Sequence, residues 1–424
     1  MKYCTRCLYP GNHPLHLTFD EAGVCSGCRI HEEKDILNWE DRSQKLKRIL
    51  DNYRSSSHRI YDCIVPVSGA RDTYFILHVV KNIYGMNPLL VTYNKHYNTQ
   101  QGLRNLAYLR TLFNCDLIMM AIGRQTVQKI TKSTIKKLGS IYWHCLAGQT
   151  VYPVQTAVKL KIPLIIWGVH QGCDQVGMFS HLDEVEMTRK YRKEHDLMGW
   201  EAEDLVDEAE DLVDEAERIT EADIHQFIYP HDKDLEKVGV RGIYLSNYIR
   251  WDSKKQHEFA IAKYQYETAL QQRTFDTYND IDCIHYSGLH DYIKFLKYGY
   301  GKVMDHACRE IRLKRLTREE GIQLIKQYQL RYPKDFSIFS QWVGMSEVEI
   351  LEWVNRYRDP QIWQQNGMGK WKLRDSIINH KNDVGVDAVR LEKVEECQFT
   401  ITPSKVSKEV REDRGQIWIK GYVD

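Results

Sequence analysis

The sequence predicts an α/β protein built on a doubly wound parallel sheet, with an N-terminal zinc ribbon before it and a mostly helical C-terminal region after it. Three observations lead there. Short apolar runs alternate with longer stretches of helical period, as in a sheet of parallel strands joined by helices. Those runs show little alternation of apolar and polar residues, which fits strands buried on both faces. Two C-x-x-C pairs precede the first run.

The 424 residues suffice for two or three domains, and 42% hydrophobic with 28% charged residues suits a soluble globular chain. A net charge of +1 speaks against nucleic acid as the main partner. No apolar run reaches about 18 residues, so no membrane span is expected. Met1-Lys2-Tyr3-Cys4 has no signal-peptide core, and eleven cysteines point to reduced thiols, metal binding and the cytoplasm. Ten Trp and twenty-six Tyr include flat rings suited to sugar or nucleotide faces, although an ordinary core and rim accounts for most of them.

Taken in order, Cys4-x2-Cys7 and Cys25-x2-Cys28 lie seventeen residues apart. Four thiolates at that spacing can close a tetrahedral Zn²⁺ and leave no open position, so the role expected is structural. His13 and His16 are then expected at the surface. A connecting helix follows, from about Ile30 to Tyr53, with Ile36, Leu37, Trp39, Leu46, Ile49 and Leu50 as its apolar positions.

The stretch Tyr61-Asp-Cys-Ile-Val-Pro-Val-Ser68-Gly69-Ala70-Arg71-Asp72-Thr73 reads as strand, small-residue turn and helix start. The helix should run to Tyr84 and bury Phe75, Ile76, Val79, Val80 and Ile83. Unpaired N–H groups at its N-terminus favour an anion. Further strands are expected at 88–93, 116–120 and 162–168, with helices from Thr99 to about Phe113, from Gln125 to Leu138 and from about Gln149 to Leu160. Thr92, Tyr93, Asn94 and Gly168 would border the turn at the C-terminal edge of the sheet. His170 and Asp174, in the loop after Gly168, are candidate walls of the same site.

Glu201-Ala-Glu-Asp-Leu-Val-Asp207 repeats as 208–214 and decays by Thr220. The repeat reads as an exposed acidic insertion whose apolar stripe is Leu205, Val206, Leu212 and Val213. Thr317 and Glu320 spell a capping box. The tail from Phe399 to Gly421 suggests a β-hairpin or an oligomer contact. The domains expected are a ribbon at 1–30, a connecting helix at 31–57, a nucleotide-binding domain at 58–235, a helical substrate region at 236–384 and an extension at 385–424.

Ser68-Gly69-Ala70-Arg71-Asp72-Thr73 resembles the S-G-G-[KR]-D-[ST] signature of the PP-loop ATP pyrophosphatases, whose sheet is of the adenine nucleotide α-hydrolase type. Ala70 stands where that family has its second glycine, so either the turn is right-handed at Ala70 or pyrophosphate binding is weakened. Two further runs are Tyr244-Leu-Ser-Asn-Tyr-Ile-Arg-Trp251-Asp and Lys297-Tyr-Gly-Tyr300-Gly301…Asp305-His306…Arg309…Arg312…Arg318-Glu319. With the zinc knuckles and the loop, they make the chain, from Cys4 to about Tyr328, similar to the N-acetyl sugar amidotransferases of bacterial surface-polysaccharide and flagellar-glycan pathways.

That resemblance implies conversion of a sugar acetamido group to an acetamidino group. The amide oxygen attacks the α-phosphate of ATP, pyrophosphate leaves, ammonia adds at carbon and AMP departs. Ser68 to Thr73 would hold pyrophosphate, with Ser68, Arg71 and Asp72 as the catalytic residues: Arg71 would stabilise charge and Asp72 would place Mg²⁺. Trp251, Lys297, Tyr300, Asp305, Arg309 and Arg312 would bind the sugar, although a salt-bridged helix face is the plainer reading of that run. No cysteine lies in a G-x-C-x-G elbow, and the resemblance implies that ammonia comes from a separate glutaminase and a channel subunit resembling those of imidazole glycerol phosphate synthase. Two alternatives remain open at this level: a tRNA thiolation enzyme using Cys145 or Cys173, and a nucleotide-binding scaffold with a degenerate loop.

Overall fold

A computed structural model describes residues 1–54, 60–70, 72–207, 215, 217–383 and 399–401. The N-terminal cysteine module leads into α1 (Ser26–Ile36) and α2 (Trp39–Tyr53). The expected single helix is broken at Leu37–Asn38, where the Asn38 side chain accepts from the N–H groups of Glu40 and Asp41 and starts α2 afresh. Ile36 ends α1 and is exposed.

The sheet then builds through β1 (Cys63–Pro66), α3 (Thr73–Leu77), β2 (Pro88–Tyr93), α4 (Gln100–Leu112), β3 (Leu117–Met120), α5 (Arg124–Leu138), α6 (Trp143–Leu160) and β4 (Leu164–Trp167). Short helices α7 (Arg189–Tyr191), α8 (Glu221–Ile224) and α9 (Asp232–Val238) lead to β5 (Arg241–Tyr244). The rest is helical: α10 (Ser253–Tyr264), α11 (Leu289–Tyr298), α12 (Lys302–Arg312), α13 (Arg318–Tyr328), α14 (Phe336–Val343) and α15 (Glu347–Asn355), followed by a small hairpin, β6 (Trp363–Gln365) and β7 (Trp371–Leu373).

The five-stranded sheet has the order β3-β2-β1-β4-β5, with every neighbouring pair parallel. The chain therefore winds outward from β1 in one direction and returns to wind the other way from β4. That switch between β1 and β4 opens a crevice at the C-terminal strand ends, where ligands of such sheets bind.

Several departures from the expected elements have identifiable causes. The helix after the turn continues beyond α3 as a π-helical stretch, His78–Ile83, which changes the face presented and leaves Ile83 exposed. Helix α6 starts six residues before Gln149. Gly148, which suggests a break, is a packing glycine: a Cβ there would lie 2.5 Å from the Tyr93 ring. Strand β5 was missed because Arg241, Gly242 and its short length hide a strand signal, so the sheet runs past residue 235.

The flanks of the acidic insertion are docked, contrary to expectation. Leu205 is buried beside Leu197, Ala202 and Ile219. Glu201 is buried against Arg192, and Asp207 and Glu217 pair with Lys137 and Lys136 of α5. Residues 208–214, with Leu212 and Val213, lie outside the described residues, as does nearly all of the C-terminal tail. The Thr317–Glu320 capping box forms as its sequence spells it.

Candidate active site

One cavity of about 600 Å³ occupies the crevice. It is bordered by Ser68, Asp72, Thr73, Thr92, Tyr93 and Gly168 on the sheet side and by Lys297, Lys302, Asp305, Arg309 and Arg312 on the helical side. Trp251 lies between the two, its ring edge-on to Phe75 at 5.9 Å and close to Gly168. Ser68, Asp72, Thr73, Thr92, Tyr93 and Gly168 of the expected nucleotide set and Trp251, Lys297, Asp305, Arg309 and Arg312 of the expected sugar set therefore border one space.

The turn after β1 is held from within. Ser68 Oγ donates to the Ala70 carbonyl and accepts from the Ala70 N–H, both at 3.2 Å. Thr73 Oγ1 donates to the same carbonyl at 2.6 Å. Gly69 packs against α4 so tightly that a Cβ would lie 1.9 Å from the Gly102 carbonyl oxygen. Asn105, fully buried on α4, donates to the Gly69 carbonyl at 3.2 Å and also spans to Glu267. Ala70 is buried and does not take a left-handed conformation; the left-handed residue is Asp72, at φ 58°. The turn thus needs no second glycine at position 70. Arg71 lies outside the described residues.

Two outcomes follow for this loop. Gly69→Ala should destabilise the fold by about 3 kcal/mol, the upper range of overpacking, because the obstacle is backbone. Thermal denaturation should show it as a lowered Tm. Ala70→Gly should cost about 0.5–1 kcal/mol in backbone entropy and bring no gain in ATP affinity by calorimetry. Tighter ATP binding in that variant would mean that Ala70 impairs the loop after all.

Asp72 borders the cavity, but its carboxylate is already hydrogen-bonded. It accepts from Ser253 Oγ at 3.0 and 3.1 Å and faces His257 Nδ1 at 3.1 Å. Asn94 does not border the cavity; its side-chain oxygen accepts from His96 N–H and from Asn98 instead. His170 is buried among Phe179, Tyr191 and Tyr244 and also stays off the cavity. Asp174 does border it, paired with Lys34.

On the helical side, Asp305 and Arg309 pair as the salt-bridged reading expects, and Lys297, Asp305, Arg309 and Arg312 also border the cavity. Asp305 accepts from Tyr9 Oη at 3.0 Å and pairs with Lys294. Arg309 donates to Asp276 at 2.9 Å and to Tyr278 Oη at 2.7 Å. Arg312 donates to the Gln175 carbonyl at 2.6 Å, lies over the Tyr9 ring and reaches Cys25 Sγ at 3.7 Å. Lys297 Nζ donates to the Leu138 carbonyl at 2.9 Å and so caps α5, and burial lowers its pKa to about 8. Tyr300 is a correction: it is fully buried in the core beneath the cysteine module and does not border the cavity.

Burial works to raise the pKa of Asp276. His306, Arg309 and the N–H groups of Asn279 and Tyr278 outweigh it and hold the group at about 2. A depressed carboxyl contributes stability above its unfolded pKa, about 3.9, and loses it as pH falls towards 2. Asp276→Asn should therefore lower stability at neutral pH and flatten its pH dependence between pH 4 and 2, as read by denaturant titration across that range.

Cys4, Cys7, Cys25 and Cys28 are buried, and their sulfurs all lie within 4.8 Å of one another. Cys7 Sγ and Cys25 Sγ are 3.6 Å apart, near the edge of a tetrahedron with metal–sulfur bonds of about 2.3 Å. The N–H groups of Cys7 and Cys25 both donate to Cys4 Sγ at 3.3 Å. The donor set fits a closed structural metal site. His13 is buried beside Tyr9 and Tyr300 rather than at the surface, whereas His16 is exposed.

Sequence reasoning did not single out Ser253, His257, Asn279, Asp280, Lys302 or Asn105. Gln-His or Asn-Asp inside a polar run carries no spacing signal; only the fold brings these residues to the loop.

Residues 272–377 match the family model for the C-terminal domain of WbpG-like LPS biosynthesis proteins. This segment holds α11 to α15 and the helical wall of the cavity. The match fits the N-acetyl sugar amidotransferase-like family that the sequence resembles. The uncharacterized protein MJ1599 of Methanocaldococcus jannaschii is 22% identical over 117 residues, which are 28% of this chain and 42% of that protein. The NMN synthetase structure from Francisella tularensis aligns with 55% of this chain and 98% of its own at 14% identity, with a TM-score of 0.26. Among the described residues no helix is long and apolar enough to cross a membrane.

Proposed function

We propose that the chain is an ATP-dependent, AMP-forming amidotransferase that converts an acetamido group of a bacterial surface sugar to an acetamidino group in the cytoplasm. One observation carries the reading: a single cavity joins the turn at the sheet's switch point to the helical wall within the WbpG-like segment. A reaction between a nucleotide and an amide needs both in one space, shielded from water. A volume of about 600 Å³ lies in the range of small-molecule sites.

In this reading the Ser68–Thr73 turn and the N-terminus of α3 hold the pyrophosphate portion of ATP, and Arg71 offsets its charge. Asp72 holds Mg²⁺ while sharing its carboxylate with Ser253, as metal-ligating carboxylates commonly do with a neighbour. Lys302, Asp305, Arg309 and Arg312 orient the sugar. The amide oxygen bonds to the α-phosphorus as pyrophosphate leaves. Ammonia then bonds to the carbon, and the carbon–oxygen bond breaks as AMP leaves. Zinc is the metal proposed for the four cysteines.

Ammonia is proposed to come from a separate glutaminase through a channel subunit. Cys145 and Cys173 do not border the cavity, and burial pushes both thiols up, Cys173 to about 12. Neither suits a nucleophile at neutral pH.

The test is pyrophosphate release from ATP with ammonium chloride and a panel of diacetamido sugars, free and nucleotide-linked, read with mass spectrometry. The expected result is release that depends on the sugar, with a product in which NH replaces O. Release only with tRNA, or none with any sugar, would overturn the assignment.

A further inference from the structure

In the turn after β1, Asp72 is a non-glycine residue held in the left-handed region. A non-glycine residue at φ 58°, ψ 4° costs about 1–2 kcal/mol, so something must hold it there. The holders come from α10. Ser253 Oγ donates to both carboxylate oxygens of Asp72, at 3.0 and 3.1 Å. His257 Nδ1 lies 2.7 Å from the Ser253 carbonyl and 3.1 Å from Asp72 Oδ1. The Asp72 N–H points at His257 Nε2, at 3.4 Å. The imidazole thus spans side chain and backbone of one residue. It is itself buried, with the Tyr266 and Tyr278 rings at 5.3 and 4.8 Å.

We propose that Ser253 and His257 are positioning residues of the phosphate-binding turn: they hold Asp72 left-handed and so fix where its carboxylate and the first N–H groups of α3 face the cavity. The inference rests on the reading of this turn as the pyrophosphate site. It also explains how the turn tolerates Ala70. The position that needs positive φ lies two residues later, and a clamp from another helix supplies what a glycine would otherwise supply by permissiveness. Asp72 keeps its carboxylate, which a glycine there would remove.

Ser253 is anchored in turn. Asp252, its neighbour and the N-cap of α10, accepts from both terminal nitrogens of Arg315 at 2.8 and 3.1 Å. The clamp is therefore set from the region just beyond α12, not from the turn itself.

Binding measurements on the full chain with three probes, ATP with Mg²⁺, pyrophosphate with Mg²⁺ and AMP, separate the possibilities. His257→Phe and Ser253→Ala should each weaken ATP and pyrophosphate binding by about 10–100-fold, the usual effect of losing a residue that orients a ligating group. AMP binding should change less than about twofold, because AMP makes no use of the pyrophosphate cradle. His257→Gln, which can return an acceptor near the Nε2 position, should recover most of the loss. ATP and pyrophosphate affinities unchanged in His257→Phe would overturn the proposal. So would an equal loss for all three probes without recovery in His257→Gln, since that pattern marks general damage. If the unsubstituted chain binds neither ATP nor pyrophosphate, the nucleotide reading of the turn fails, and the clamp proposal with it.

Discussion

Arg315→Ala should be among the most damaging single substitutions in the chain, at about 3–5 kcal/mol, the range for breaking a buried ion pair from one side. Arg315 makes a two-pronged contact with Asp252 and donates through Nε to Glu310 Oε2 at 2.6 Å. The side chains of Arg315 and Asp252 are largely buried and that of Glu310 fully so. Glu310 also takes Arg309, which holds Asp276. Removing Arg315 leaves Asp252 without its cation and Glu310 with only one. Because Asp252 adjoins the clamp residue Ser253, ATP affinity should fall together with Tm. Thermal denaturation and calorimetric ATP titration check the two arms. A Tm within a degree of the parent would mean that water replaces the lost partner and that the network contributes little.

Removing the metal should have the larger effect. Structural zinc contributes about 10–16 kcal/mol of apparent binding energy in small zinc modules, and that energy is folding energy. Here the module also supplies a wall of the cavity. Arg312 reaches Cys25 Sγ, lies over Tyr9 and borders the cavity; Tyr9 donates to Asp305 across the same wall. Stripping the metal with a strong chelator, or substituting Cys25→Ser, should abolish turnover and loosen α12 as well as the module. Metal content by elemental analysis should fall from one ion per chain to none, and hydrogen exchange should rise in Lys302–Arg312. Protection retained throughout α12 after metal loss would mean that the module is an independent appendage.

The sheet was legible because its strands are apolar on both faces, and β2 lies at the bounds its residues suggest. The cysteine cluster, whose four buried sulfurs could hold a metal ion, was legible because four cysteines at that spacing have few other uses. Less could be read where one residue serves two elements. Gly148 looks like a helix break until the Tyr93 ring is seen beside it, and Gly102 looks ordinary until Gly69 meets it. Tyr300 and His13 sit in polar, aromatic stretches that suggest a ligand or a surface, yet the cysteine module and α12 close over them. The clamp on Asp72 had no local signal at all, since its parts are separated by 181 and 185 residues.

The contact between Tyr9 and Asp305 joins positions 296 apart in sequence. The apolar face that the cysteine module buries against Val303, Ala307, Ile311, Ile322 and Ile325 is therefore made long after the module itself. At about 5–20 residues per second, the module spends roughly 15–60 s outside the ribosome before its docking surface emerges. Through that interval the module is held by its own few backbone hydrogen bonds and by whatever the four-sulfur site binds. Supply of metal during synthesis, rather than after it, should then decide how much of the newly made chain reaches the folded state.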